Sequence, residues 1–409
     1  MKFISSPSSR PTTPQPGFVA WPALLAGIMA TLVGIGLARF AYTPLIPALI
    51  QANWFSASDA VYLGEAILLG YFMGALLAHP LTRWIKARVV VGLSLAAVVL
   101  SFVLCAWPTG FVWFFAWRFI AGMAGAVLIV VVPSMVLSAV PLERRAMVAT
   151  WIFSGIGVGA FLAATAIPLM LTKGLSATWW VLAGICLLAG GLCDYGVRHL
   201  TVDAPLESQP SQSIDRRQAL IARLTVALVV MAYGLDAIGF IPHTVFWVDF
   251  LARENNLGQA AASFQWALFG VGAALGPFVS GLVVHHLDWH RSLLLAFFVK
   301  AFAVLLPVLS MAWVSQTMSS LLVGALTSGL MAIVSGRLAQ LVGTRAHQKV
   351  WGQATALFAL TQAVGGFAMA AVYESIGTAS PLFVIGSGVL LFGATLVWLS
   401  RRVECRPVA

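Results

Sequence analysis

The chain has 409 residues, of which 60% are hydrophobic and only 9% are Asp, Glu, Lys or Arg, whereas a soluble domain is usually about one quarter charged. No water-soluble fold of this size could bury that much apolar surface, and a mean hydropathy of +0.95 agrees with a chain that lies in lipid. The formal charge of +10 does not indicate nucleic acid binding, because the basic residues lie in short runs between apolar segments. Those segments, such as Val89 to Ala106, are too long and too uniformly apolar for a membrane β-barrel.

The predicted elements begin after residues 1–17, which are rich in Ser, Pro and Thr and are expected to be a disordered cytoplasmic tail. Splitting the apolar runs at Pro, Gly and charged clusters predicts an all-α membrane protein of twelve transmembrane helices in two six-helix halves. The helices cover 18–50, 59–82, 88–107, 110–140, 146–172, 176–197, 218–252, 259–285, 291–313, 316–343, 349–375 and 379–400. The first bundle is 18–197 and the second is 218–400, with a central cytoplasmic linker at 198–217 and a cytoplasmic tail at 401–409.

The basic residues predict the orientation of these helices, because cytoplasmic connections carry an excess of Lys and Arg. On one side the predicted connections carry Arg83, Lys86, Arg88, Arg144, Arg145, Arg198, Arg216, Arg217, Arg345, Lys349, Arg401, Arg402 and Arg406. The other side carries Lys173 and Arg253. We therefore expect both termini in the cytoplasm.

Five charged residues fall inside predicted spans, where a charge costs about 2.5 to 3.5 kcal/mol and needs a partner or water. They are Arg39, Glu65, Arg118, Asp236 and Lys300. Arg118 is followed by Gly122 and Gly125, which thin one face of its helix. A buried arginine there could bind an anionic substrate or affect the protonation of a neighbouring carboxylate, and a structural hydrogen bond between helices is the alternative.

Asp236 and His243 are the pair most suited to proton or substrate binding. They lie seven residues apart and share a helix face unless Pro242 rotates the second away. Because desolvation favours the neutral form of a carboxyl group, Asp236 could carry a proton through a conformational cycle. His243 could join it or could satisfy a backbone carbonyl freed by the proline.

The other two charges invite structural interpretations. Glu65 is expected to form an ion pair with Arg39, with a second titrating group as the alternative. Lys300 is interpreted as filling a gap near helix 9, and Asp249 with the following Arg253 as a hydrated rim.

Polar side chains within apolar spans could line a solute cavity or could make hydrogen bonds between helices. These residues are Gln265, Gln353 and Gln362, with Trp266 beside the first. The four cysteines show no paired or metal-type spacing and are interpreted as packing residues. Nucleotide, hydrolase and metal motifs are lacking, so we expect neither an enzyme nor a cofactor or metal ion.

The two halves also carry a faint internal repeat. Gly70 and Gly74 lie four residues apart, as do Gly272 and Gly276. Small residues at this spacing let helices approach closely, so packing alone would explain them. An internal repeat would place a substrate site near the bilayer midplane, between the halves.

These features resemble the major facilitator superfamily, and within it the YbfB/YjiJ-type branch of bacterial transporters. The stretches that carry the resemblance are Gly36 to Pro47, Gly70 to Ala78, Arg118 to Gly122, Phe240 to Trp247, Gln265 to Pro277 and Gln353 to Gln362. The resemblance implies alternating access in the bacterial inner membrane, commonly with proton coupling, and a site between helices 1, 4, 7 and 10. It also maps the superfamily's helix 4 arginine onto Arg118.

Two departures from the superfamily bear on function. The acidic residue usual after helix 2 is missing between Ala78 and Arg83, and the equivalent stretch after helix 8 lacks one until Asp288. Helix 5 also lacks the Gly-Pro pair associated with drug antiporters, which weakens an efflux interpretation.

The leading hypothesis is a monomeric secondary transporter of a small organic solute, coupled to protons. Its candidate substrate or coupling residues are Arg39, Glu65, Arg118, Asp236, His243, Gln265 and Gln362. Arg118 and Arg39 would act as anion or coupling groups and Asp236 as the proton carrier. The alternatives are an exporter of hydrophobic or amphipathic compounds and a non-transporting membrane sensor with the same fold.

Overall fold

A computed structural model describes residues 21–140, 142–200 and 216–404, and every regular element in these ranges is helical. Eleven of the helices are long and apolar enough to cross a membrane, and Trp21–Leu37 is a shorter apolar helix. In chain order, the elements are α1 Trp21–Leu37, α2 Ala57–Trp84, α3 Ala87–Leu104, α4 Phe111–Ser138, α5 Leu142–Leu171, α6 Leu175–Arg198, α7 Leu220–Glu254, α8 Gly258–Leu287, α9 Trp289–Leu309, α10 Trp313–Gly343, α11 Lys349–Ile376 and α12 Ser380–Glu404. The predicted N-terminal tail, most of the predicted linker and residues 405–409 lie outside the described residues, whereas residues 401–404 of the predicted C-terminal tail continue α12.

The first predicted helix, 18–50, is not continuous, so that prediction is wrong. Its last turns before Arg39 are π-helical, and a 3₁₀ turn at Thr43–Leu45 and a short helix at Ile46–Gln51 follow. Pro44 and Pro47 lack the backbone N–H groups that a regular helix would need. The regular α-helical stretch, Trp21–Thr31, is shorter than the roughly 20 residues of a spanning helix.

Helix α7 is also irregular in its second part. Regular α-helix ends at Gly239, and π-helical turns occupy Pro242–Phe246 and Phe250–Glu254. Residues 240–252 are all buried. Irregular backbone at membrane depth is tolerated where protein surrounds it, so α1 and α7 place broken helix next to Arg39 and Asp236.

The helix ends lie on two faces, because successive helices reverse direction at short connections. One face, here named the basic face, carries Arg83, Arg198, Arg223, Arg291, Arg337 and Arg401. The opposite face, where α2 begins and α11 ends, carries Lys173 and Arg253 among the described residues. This asymmetry follows the pattern on which the predicted orientation depends. On the basic face, Asp288 accepts hydrogen bonds from the backbone N–H groups of His290 and Arg291, and so caps α9.

Glycines bring the backbones of α2 and α4 into contact, and those of α8 and α10 in the same way. A Cβ atom on any of four glycines would collide with a backbone carbonyl of the neighbouring helix. The contacts are Gly70 on Phe119, Gly74 on Met123, Gly272 on Leu321 and Gly276 on Ala325. Each residue of the second set lies 202 positions after its counterpart in the first. The repeated glycines therefore make the same packing contact twice.

This packing predicts that Gly74→Ala destabilises the folded protein. The added methyl group must displace the Met123 backbone, and overpacking of this kind costs about 1–3 kcal/mol. Gly92→Ala is the matched control, since nothing lies within 4 Å of its Cβ position. Thermal unfolding of the detergent-purified variants should show a lower melting temperature for Gly74→Ala alone. Equal melting temperatures would contradict the close approach.

Candidate functional site

A buried ion pair joins α7 and α9. Lys300 Nζ donates to Asp236 Oδ1 at 2.6 Å, and the two side chains are 0% and 2% exposed. The same ammonium group lies 4.1 Å from the centre of the Phe240 ring. The interpretation of Lys300 as a gap filler is therefore wrong, because Lys300 is the counterion of Asp236. The sequence identified both residues as charges inside predicted spans, but it did not show that they are partners.

A chain of hydrogen bonds reaches this pair from the other half of the sequence. Arg39 Nη1 donates to Gln362 Oε1 at 2.8 Å, and Gln362 Nε2 donates to the carbonyl oxygen of Ala237 at 3.3 Å. The guanidinium carbon of Arg39 lies 5.9 Å from the centre of the Phe240 ring. Phe240 thus contacts two cations, one from each half, and Ala237 adjoins Asp236.

Glu65 takes no part in these hydrogen bonds. Its side chain is fully buried, and neither carboxylate oxygen has a hydrogen-bond partner among the described residues. It faces Gly366 of α11, where a Cβ atom would collide with Glu65 Oε2. The predicted ion pair with Arg39 is not formed, because Arg39 is bonded to Gln362 instead.

His243 is linked to α9 through a serine of α10. Its Nε2 lies 2.7 Å from Ser319 Oγ, and that hydroxyl donates to the carbonyl oxygen of Ala303 at 2.7 Å. Because the single hydroxyl proton is used in the second bond, His243 Nε2 is assigned as the donor in the first. The ring also stacks on Trp247, with 4.7 Å between centroids. His243 and Asp236 therefore both approach α9, despite the proline between them.

Arg118 makes no contact with the Asp236–Lys300 pair among the described interactions. Its Nη2 donates to the carbonyl oxygen of Ala38 at 2.5 Å, which is the structural bond between helices considered above. Its guanidinium carbon lies 5.0 Å from the ring centre of Tyr42, 5.5 Å from that of Phe102 and 5.7 Å from that of Trp179. The side chain is fully buried, and Nε and Nη1 have no partner among the described residues. Arg118 is thus a cation held by aromatic faces and one carbonyl.

Gln265 makes hydrogen bonds between helices. Its Nε2 donates to Thr317 Oγ1 at 3.2 Å, and its Oε1 accepts from Ser320 Oγ at 3.1 Å, both on α10. Trp266 Nε1 donates to the carbonyl oxygen of Phe40 at 3.2 Å. Gln353, by contrast, is exposed. Of the three glutamines, Gln362 is the one that bonds next to the Asp236–Lys300 pair, through the carbonyl oxygen of Ala237.

The remaining sequence candidates that the structure describes do not come together in a further site. Cys105, Cys186 and Cys193 are buried and free, while Cys405 lies outside the described residues. Asp249 is buried and bonded to Arg253, so it is less hydrated than the predicted rim. No cluster of three or more metal-ligating side chains occurs in the part of the chain that the structure describes.

A chain whose described residues form only helices, eleven of them apolar and of spanning length, is a polytopic membrane protein. Buried charges between its helices, beside irregular helix turns, are typical of membrane transporters. The chain matches, over residues 31–398, the model of the family described as "Uncharacterised MFS-type transporter YbfB". It therefore belongs to this family of MFS-type transporters, and the resemblance seen in the sequence is confirmed.

A more distant similarity agrees with this assignment. The chain is 22% identical over 273 residues to YceJ of Bacillus subtilis (strain 168), which is named an uncharacterized MFS-type transporter. The match covers 64% of this chain and 66% of YceJ, so it spans just under two thirds of that relative's length. MFS transporters are generally not enzymes, in agreement with the expectation from the sequence.

Proposed function

We propose that this protein is a proton-coupled secondary transporter that moves a small organic solute by alternating access. Residues 21–51 would cross the bilayer as a twelfth, broken span, so that α1–α6 and α7–α12 form the two halves. The basic face would be cytoplasmic, with the protein acting as a monomer in the bacterial inner membrane. The paired glycine contacts support the division into halves, and the asymmetry of basic residues supports the orientation.

The observation that carries the proposal is the continuity between the Asp236–Lys300 pair and the bond between the halves. Lys300 holds Asp236, the next residue Ala237 accepts from Gln362, and Gln362 accepts from Arg39 on the first half. A transporter needs its coupling charge in contact with the surface where the halves separate. This chain of contacts meets that requirement with four side chains and one carbonyl group.

The ion pair suggests how a proton would be coupled to a solute. A proton taken up by the carboxylate of Asp236 leaves Lys300 buried without a counterion, which is costly in a low dielectric. An acidic group of the solute would then compensate Lys300, with Arg39 as a second cation nearby. Release of the solute and the proton on the other side would restore the original pair. We therefore infer that the solute carries an acidic group.

Export of hydrophobic or amphipathic compounds is a second candidate, favoured by the aromatic rings near Arg39. Trp266 and Phe269 stack at 4.4 Å between ring centres, and Phe40 meets both rings edge-on. Such rings suit an apolar solute body. Changed drug tolerance in deletion and overexpression strains would favour export over uptake.

The proposal is tested by transport in proteoliposomes under an imposed pH gradient, with solutes first selected by thermal stabilisation of the purified protein. We expect gradient-driven uptake of an acidic solute by the wild type and a loss of at least about tenfold in Asp236→Asn. Asp194→Asn is the control, because Asp194 forms an exposed ion pair with Arg198. Transport that survives in Asp236→Asn would contradict the coupling role, and a wild type that moves no solute would favour the sensor.

A further inference from the structure

A pocket of about 350 Å³ with ionisable groups in its lining opens on the opposite face, where α2, α7 and α11 meet. Its walls combine the start of α2 with the ends of the other two helices. The lining residues are Ala57, Ser58, Arg253, Glu254, Tyr373, Glu374 and Gly377. The pocket therefore brings ionisable groups to one end of the contact between α2 and α11.

A hydrogen bond ties α2 to α11 at the exposed edge of this contact. Tyr62 Oη on α2 donates to Glu374 Oε2 on α11 at 2.8 Å. Ser58, Tyr62 and Glu65 follow at helical spacing on α2 and so lie along one face. Seven residues separate Ser58 from Glu65, which is about 10 Å along a helix.

Glu65 lies at the inner end of the same contact. Gly366, which it faces, comes eight residues before Glu374, so the two helices run side by side from the pocket to the carboxyl group. Both carboxyl oxygens are buried and without a donor among the described residues. An ionised carboxylate in such a place would cost far more than a neutral one, so this arrangement suits the protonated acid.

Among the residues that the structure describes, Glu65 has one cationic neighbour. Arg39 is that neighbour and is bonded to Gln362, while Tyr71 lies further along α2 toward the basic face. Other titratable groups each make a hydrogen bond with a different partner. These bonds join Arg118 to Ala38, Tyr42 to Ala60, His243 to Ser319, Asp236 to Lys300, both Tyr373 and Arg253 to Asp249, and Glu254 to Thr378 and Ala379. Lys86 and Arg88 lie at the basic face, beyond the other end of α2.

We propose that Glu65 is a second proton-binding site, reached from the opposite face along the contact between α2 and α11 that the bond between Tyr62 and Glu374 holds together. This inference rests on the proposed proton coupling. A proton on Glu65 leaves Arg39 free to bond Gln362 across the halves. Loss of that proton gives a carboxylate that competes for Arg39 and weakens the bond between the halves. Proton occupancy would thereby control a contact that must break when the halves separate.

Carbodiimide labelling tests the protonated state without any solute. The carboxylic acid transfers its proton to a carbodiimide nitrogen, its oxygen adds to the central carbon, and the acyl group then migrates to nitrogen as a stable N-acylurea. Dicyclohexylcarbodiimide applied to the purified full chain should label Glu65, as read by peptide mass spectrometry. We expect about tenfold more adduct at acidic than at alkaline pH. Asp236, held by Lys300, should be labelled far less.

Access from the opposite face is tested with a water-soluble carbodiimide on proteoliposomes. Tyr62→Phe removes the hydroxyl that ties α2 to α11 at this contact, so labelling of Glu65 should become severalfold faster than in the wild type. Tyr195→Phe, at an exposed position on α6, is the control and should match the wild type. Labelling of Glu65 that is absent or independent of pH, or equal rates in the two tyrosine variants, would overturn the inference. Because no solute is used, these outcomes are distinct from a failure of the proposed transport.

Discussion

Lys300→Met is expected to lower the free energy of unfolding by about 3–5 kcal/mol, because it leaves the carboxylate of Asp236 buried without its counterion. Methionine has a similar length and fits an apolar site, so the change removes the charge with little loss of packing. Thermal and denaturant unfolding of the purified variant measures the loss. The exposed pair of Arg198 and Asp194 supplies the control, where Arg198→Met should cost about 0–1 kcal/mol.

The double variant Asp236→Asn with Lys300→Met separates the charge effect from packing. With both charges removed, most of the stability lost in Lys300→Met should return, and the double-mutant cycle should give a large coupling energy. Transport should stay lost in the double variant, because the proton-binding group is gone. If the two single losses simply add, the two side chains are not paired in the folded protein.

Arg118→Leu is expected to abolish transport while leaving the melting temperature unchanged or raised. Burial costs free energy because it removes water from the guanidinium group of Arg118, and the contacts that stabilise it are three aromatic faces and one carbonyl group. Replacing a poorly compensated buried charge with an apolar side chain is often neutral or stabilising. A residue retained despite this cost is expected to serve function. Melting temperature and uptake per folded molecule, measured on the same preparation, test the prediction.

Arg118→Lys distinguishes the charge from the shape of the guanidinium group. It keeps the cation near the rings but loses the planar fork, so partial transport would show that charge is what matters. A several-kcal/mol loss of stability in Arg118→Leu, with normal uptake by the molecules that remain folded, would instead assign Arg118 a structural role.

The sequence predicted the regular helices well, because the length of an apolar run is set by the thickness of the bilayer. The predicted bounds of the second to twelfth helices lie within four residues of α2–α12. The first helix was different. Pro44 and Pro47 were visible in the sequence, but the π-helical turns begin at Leu32, before both of them, where Gly34 meets Gly125 and Gly36 meets Gly159. Such contacts depend on tertiary packing and leave no local pattern.

The sequence identified the charged residues of the candidate site, but it did not show which of them contact each other. The cost of burying charge marked all five ionisable residues, yet Asp236 and Lys300 are 64 residues apart, and their contact depends on how α7 and α9 are rotated. The same uncertainty misassigned Glu65 to Arg39. A side chain's partner across a bundle is decided by helix orientation, which composition and periodicity do not determine.

The glycine contacts of α2 with α4, and of α8 with α10, also bear on mechanical behaviour. Backbones that touch without intervening side chains have little freedom to slide, since any shift meets a carbonyl group at once. We therefore expect each helix pair to move as one stiff body. The bending needed for a change of shape would then fall on residues 38–42 and 240–254, where the regular helix is already interrupted, and these stretches would act as the hinges of the molecule.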